Sequence, residues 1–227
     1  MVAARFCTIP KTVCTETERL VNSVAVVAIG LLGWIAIGAL LVERAERGVA
    51  ARKHVPAPSR AVAIAVAAVG LALLARPDVA SAASCGVACA TLVLAAGGDA
   101  RTGYLFDAIT FPGALIVTLL ALVSGAGAAA STGVLLLVGG FGSLVLVSRG
   151  RWMGLGDVKA MFAVGAAFGP LESLVVIFCA AVSALAAAAL AGRLRRGTEL
   201  RFGPHLAAGT VFTLVAGDSI ARQLTGS

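Results

Sequence analysis

Charge is scarce in this sequence. Only 13% of its 227 residues are Asp, Glu, Lys or Arg, against roughly 25% in an average soluble domain. By contrast 59% are apolar, and the mean hydropathy is +1.00. So apolar a composition excludes intrinsic disorder, and the absence of a Gly-X-Y period excludes a collagen-like chain. Cysteine is also scarce. Cys7, Cys14, Cys85, Cys89 and Cys179 form neither a dense disulfide framework nor the CxxC pairs of a zinc site. No repeat of fixed period, large soluble domain or cleavable signal peptide is evident, because the first apolar segment is too long and runs into a basic loop.

What the chain has instead is a series of long uncharged runs. Leu20–Val42 is free of charge over 23 residues, enough to cross a ~30 Å hydrocarbon core at about 1.5 Å per residue. Ala61–Ala75 is shorter and is extended by a snorkelling Arg76, and Val79–Gly98 follows the break Arg76-Pro77-Asp78. Ala108–Ser148 holds 41 uncharged residues, the length of two spans, with SGAGAAAST (124–132) as the turn between them. Ala160–Leu171, Ser173–Gly192 and Phe202–Gly217 complete the set. Backbone groups in lipid must pair internally, so the spans are helices. Their Ala and Gly content suits close helix packing. The expectation is an all-α polytopic membrane bundle of about eight transmembrane helices, with residues 1–19 as an extracytoplasmic segment and 20–218 as the membrane domain.

With eight spans, the segments 43–60, 99–107, 149–159 and 193–201 share one side. They carry 13 of the 18 Lys and Arg residues, which places that side in the cytoplasm by the positive-inside rule. The basic pI then follows from topology and from contact with a lipid bilayer, and calls for no nucleic-acid partner. Cys7 and Cys14 fall on the outer side, where the oxidising environment permits a disulfide.

Asp99, Asp107 and Asp157 all lie on the cytoplasmic side, where a loop meets a span. Two readings stand side by side. In the first, Asp107 and Asp157 are helix N-caps and Asp99 is a solvated turn acid. In the second, Asp99 and Asp157 face one another from different helices. Two such carboxylates do not both ionise easily, so one holds a proton while the other acts as a base, and they titrate as a coupled pair. Glycines at 154 and 156 would let an extended substrate backbone approach the carboxylate. Periodicity does not choose between the two readings.

The residues around these acids carry a resemblance. GLGDVK (Gly154–Lys159) matches the GxGD(V/I)K signature of the type IV prepilin leader peptidases. DARTGYLFDAITFPG (Asp99–Gly113) resembles that family's first motif. RFGPHLAAG (Arg201–Gly209), with Gly203 and Pro204, is similar to its C-terminal FGP box, and GWIAIGALLVERAERG (Gly33–Gly48) to its first span. The motifs occur in the family's order. The resemblance implies a GxGD-type aspartic endopeptidase with Asp99 and Asp157 as its catalytic dyad. It would remove the basic leader from prepilins or pseudopilins at the cytoplasmic face of the bacterial inner membrane, in type IV pilus assembly or protein secretion. Lys159 either steadies the dyad or marks the positive side, and the second reading is preferred.

Three departures from the family pattern qualify the resemblance. Phe106 stands where the family usually has Pro, so the break after Asp99 falls to Gly103 or to the turn itself. Arg201 replaces the Pro that often precedes FGP. The loop 43–60 is short and lacks the CxxC pairs of many bacterial members. No zinc site is therefore expected, and methylation of the new N-terminus from S-adenosylmethionine is not predicted; proteolysis itself needs no cofactor. Two other functions fit buried acids in a bundle. One is a proton-coupled small transporter using Asp99 and Asp157 as relays, although relay acids are expected nearer the bilayer middle. The other is an inactive pilus or secretion assembly factor.

Overall fold

The computed structural model describes residues 11–50, 59–76, 78–103, 105–151, 153–190 and 201–225. They form seven helices and, among the described residues, no strand: α1 (Lys11–Ala50), α2 (Ser59–Ala75), α3 (Val79–Thr102), α4 (Asp107–Val123), α5 (Gly127–Ser148), α6 (Leu155–Leu190) and α7 (Gly203–Thr225). Four of them, α3, α5, α6 and the stretch Val24–Ala45 of α1, are long and apolar enough to cross a membrane; α2 and α4 are apolar but shorter. Cys7 and residues 51–58 of the basic loop lie outside the described residues.

Eight separate spans are not confirmed by these helices, and the difference from the expected count lies in α6. The two expected spans, 160–171 and 173–192, lie within this one element, which is broken at Gly169-Pro170. Gly169 has φ 66° and ψ −172°, a backbone that L side chains avoid and that glycine adopts freely. Proline next to it cannot donate to the preceding turn. Across the break, Ser173 Oγ comes within 3.4 Å of the Val164 carbonyl oxygen, nine residues earlier. A continuous helix would hold those residues roughly 13 Å apart along its axis, so the two arms of α6 turn back on each other.

The bundle is organised around α3, which packs against α1, α2, α4, α6 and α7. Its run of Ala, Cys, Ser and Gly is almost wholly buried, and small side chains are what allow several helices to approach one axis. Cys85 and Cys89 belong to this core. Trp34 of α1 donates its indole N–H to Thr91 Oγ1 of α3 at 3.0 Å, so its one polar atom is satisfied inside the bundle. Large apolar side chains face outward instead: Leu74, Val123, Leu146 and Leu190 are all strongly exposed. An apolar exterior around a small-residue core is the distribution that lipid favours and water does not.

The two ends of the bundle differ. At one, α2 stops and Asp78 caps α3, its Oδ2 accepting from the Ser81 N–H at 2.8 Å. Arg76 does not snorkel outward as expected. It folds inward onto Glu172, beside the α6 break, and both side chains are largely buried. The site below occupies the opposite end.

Candidate active site

α3 ends where the sequence put the break. Gly103 adopts the left-handed conformation (φ 78°) and donates its N–H to the Asp99 carbonyl at 2.8 Å, a glycine C-cap. Asp99 therefore sits in the last helical turn. It is no solvated turn acid: only 6% of it is exposed, and its Oδ2 has no hydrogen-bond partner. A buried carboxylate oxygen left unpaired is costly in a structural role.

Asp157 reaches the same place from α6. The helix begins at Leu155, so Asp157 is in its first turn and is not the N-cap. It receives a hydrogen bond from the Gly154 backbone, the geometry of an acid at the third helical position reaching back to the cap residue. Asp157 and Asp99 are close enough to interact electrostatically. The structure thus brings together the two acids that the second reading paired.

α7 closes the site from a third direction. Phe202 is where this helix starts, its carbonyl accepting from the N–H groups of His205 and Leu206. Pro204 occupies the first turn, where a missing N–H loses no helical bond. Gly203 lies against Asp99 so tightly that a Cβ there would stand 2.7 Å from Asp99 Oδ2, and its N–H faces that carboxyl. Arg201, just before the helix, donates from Nη1 to the Ala100 carbonyl and brings its charge to bear on Asp99. His205 meets Ser183 Oγ through Nδ1 at 3.1 Å.

Some of the other singled-out residues are placed differently from expectation. Asp107 opens α4 as its first residue, after Phe106 in the cap position, and so is not an N-cap. Its negative charge still suits a helix start, and its Oδ2 accepts from Lys159 Nζ at 2.7 Å. Lys159 thus pairs with Asp107 on the exposed rim. Gly154 is open, as an approach path would need, but a Cβ on Gly156 would come within 3.2 Å of Leu105 Cβ, so that glycine serves internal packing. Phe106, at the position of the family's Pro, lays its ring over Gly98, where a Cβ would be 2.9 Å from Cε2. Phe106 and Leu105 therefore pack against Gly98 and Gly156, the glycines that precede the two acids. Sequence reasoning gave neither residue that role, and the glycines at 98 and 156 were the available signal. Among the described residues no three His, Cys, Asp or Glu side chains gather as metal ligands would.

No curated protein and no solved structure gives a match to the chain. The model of the type IV leader peptidase family does match, over residues 86–189, a segment running from within α3 to the end of α6 and including both acids. The resemblance read from the motifs is borne out over that segment, which is similar to the type IV leader peptidase family and lies in a chain with four helices long and apolar enough to cross a membrane among the described residues.

Proposed function

We propose that this protein is a membrane-embedded aspartic endopeptidase that removes the basic leader from type IV prepilins or pseudopilins at the cytoplasmic face of the bacterial inner membrane. The observation that carries the reading is that Asp99 and Asp157, 58 positions apart in the sequence, lie within electrostatic reach of one another at one end of the bundle, with Asp99 Oδ2 buried and unpaired. One carboxylate of such a pair takes a proton from water while the other, protonated, gives its proton to the scissile amide. The charge asymmetry of the loops supports a cytoplasmic position for this end, where a basic leader preceding a hydrophobic stem would lie. Gly154 leaves the approach to Asp157 open.

Co-expression with a prepilin-like substrate tests the reading. Asp99→Asn and Asp157→Asn are each expected to abolish leader removal, seen as an unshifted substrate band, while the protein still accumulates in the membrane. Normal processing by either variant overturns the assignment.

A further inference from the structure

α7 lies antiparallel along the second arm of α6, and three contacts set its register. A Cβ on Gly217 would stand 3.6 Å from Glu172 Cγ, and one on Gly209 would stand 2.5 Å from the Val176 carbonyl oxygen and 3.3 Å from Ala180 Cβ. Nearest the acids, His205 Nδ1 meets Ser183 Oγ at 3.1 Å. The break in α6 makes this last contact possible. At about 1.5 Å per residue, Asp157 to Gly169 is about 18 Å of helix and Pro170 to Ser183 about 20 Å. The returning arm therefore brings Ser183 back to the level of Asp157. Gly203, two residues before His205, is the glycine whose Cβ would stand 2.7 Å from Asp99 Oδ2.

Ser183 fixes the direction of the bond. Its hydroxyl has a single proton, which it donates to the Ala180 carbonyl at 2.9 Å. Its Oγ then accepts from His205 Nδ1–H, which leaves Nε2 bare in a neutral imidazole. Close backbone packing at Gly209 sets how near the two helices come, and a directional hydrogen bond sets where along the axis they stop. We propose that His205 is a positioning residue whose bond to Ser183 fixes the start of α7 on the returning arm of α6 and so holds Gly203 against Asp99. The inference rests on the peptidase reading for its kinetic consequence.

The test uses the full chain in detergent or liposomes. The chain has two histidines, so His54→Gln leaves His205 as the sole imidazole. Nitrogen NMR of that ring, recorded about two pH units above the ordinary histidine pKa of ~6.5, should show Nδ1 protonated and Nε2 bare. Ser183→Ala should move the proton to Nε2. On a synthetic peptide made of a basic leader and an apolar stem, His205→Leu is expected to lower kcat about tenfold with KM within about twofold. His205→Asn, whose amide N–H stands near the place of Nδ1–H, should recover kcat to within about threefold, and His205→Gln, which reaches toward Nε2, should not. A wild-type ring protonated at Nε2 alone, an Asn variant as poor as Leu, or a loss confined to KM overturns the proposal. A water-soluble carbodiimide reads the cover over Asp99 without proteolysis. Asp99 should be modified at least about threefold faster in Ser183→Ala than in the wild type, and equal rates overturn the positioning role. A wild type with the expected ring protonation and a protected Asp99 that never cleaves the peptide sinks the peptidase reading and leaves the positioning role standing.

Discussion

Lys159 Nζ lies 2.7 Å from Asp107 Oδ2, and this contact engages the lysine of the GLGDVK run on the rim of the bundle. The contact joins the first turn of α6 to the first residue of α4, so it ties together two elements that flank the acids. Both side chains are well exposed, and exposed ion pairs contribute only about 0.2–1 kcal/mol. Lys159→Ala is therefore expected to keep leader removal within roughly threefold of wild type. A double-mutant cycle with Asp107→Ala on thermal unfolding should give a coupling below about 1 kcal/mol. A tenfold or larger loss of cleavage for Lys159→Ala would place the lysine in the catalytic machinery instead.

Gly203 makes a sharper prediction, because its missing side chain is what lets α7 reach Asp99. A methyl group there would sit 2.7 Å from Asp99 Oδ2 and 3.2 Å from Asp99 Cγ, which forces the carboxylate or the helix start to move. Small displacements of a catalytic group cost on the order of 10²-fold. Gly203→Ala is expected to lose cleavage to about that extent while retaining a cooperative melt. Gly139→Ala, whose Cβ would meet nothing within 4 Å, serves as the matched control. Equal activity of the two alanine variants would mean that Asp99 is not held from α7.

Much of this arrangement is legible in the chain, and the illegible parts have identifiable causes. The scarcity of charge gives the helical membrane architecture, and the GxGD run and the acid of the first motif point to the two side chains that meet. The break after Asp99 is open in the sequence between Gly103 and the turn itself, and Gly103 is the residue that takes the left-handed conformation. The capping readings of Asp107 and Asp157 fail by a residue or more because loop lengths alone do not fix a helix start. The count of spans departs at Gly169-Pro170, where the pair marks a turn, yet the uninterrupted apolar sequence around it hides which side of Glu172 the turn falls on. Arg201 is visible only as a departure from a pattern. Its anchoring on Ala100 is a contact between positions 101 apart, and no local signal reports that.

The approach of α5 to α6 offers a test of the fold that is independent of the site. A Cβ on Gly133 would stand 2.3 Å from the Gly165 carbonyl oxygen, and one on Gly165 would stand 2.6 Å from the Gly133 carbonyl carbon. These are backbone atoms, which do not yield as a flexible side chain does. Gly133→Ala and Gly165→Ala are each expected to destabilise the protein by about 1–3 kcal/mol, read as a lowered thermal midpoint in detergent. Gly140→Ala on the open face of α5 should leave it unchanged. Neutral behaviour at both 133 and 165 would show that the two helices do not meet backbone to backbone.

The last prediction concerns the end of the bundle away from the acids. Arg76 and Glu172 form an ion pair whose side chains are 8% and 16% exposed, and a Cβ on Gly217 would stand 3.6 Å from Glu172 Cγ. The pair therefore links the end of α2, the broken region of α6 and the last turns of α7. Breaking a buried pair from one side leaves the other charge stranded, at a cost of about 3–5 kcal/mol, whereas replacing both partners by apolar residues is often close to neutral. Against a typical total stability of about 5–15 kcal/mol, Arg76→Met or Glu172→Gln alone should sharply lower the thermal midpoint and the yield of folded protein. Arg76→Met combined with Glu172→Leu should recover most of the loss. Recovery of stability should restore cleavage too, since the pair lies at the end opposite the dyad. A double variant that is stable yet inactive would instead couple the α6 break to the chemistry.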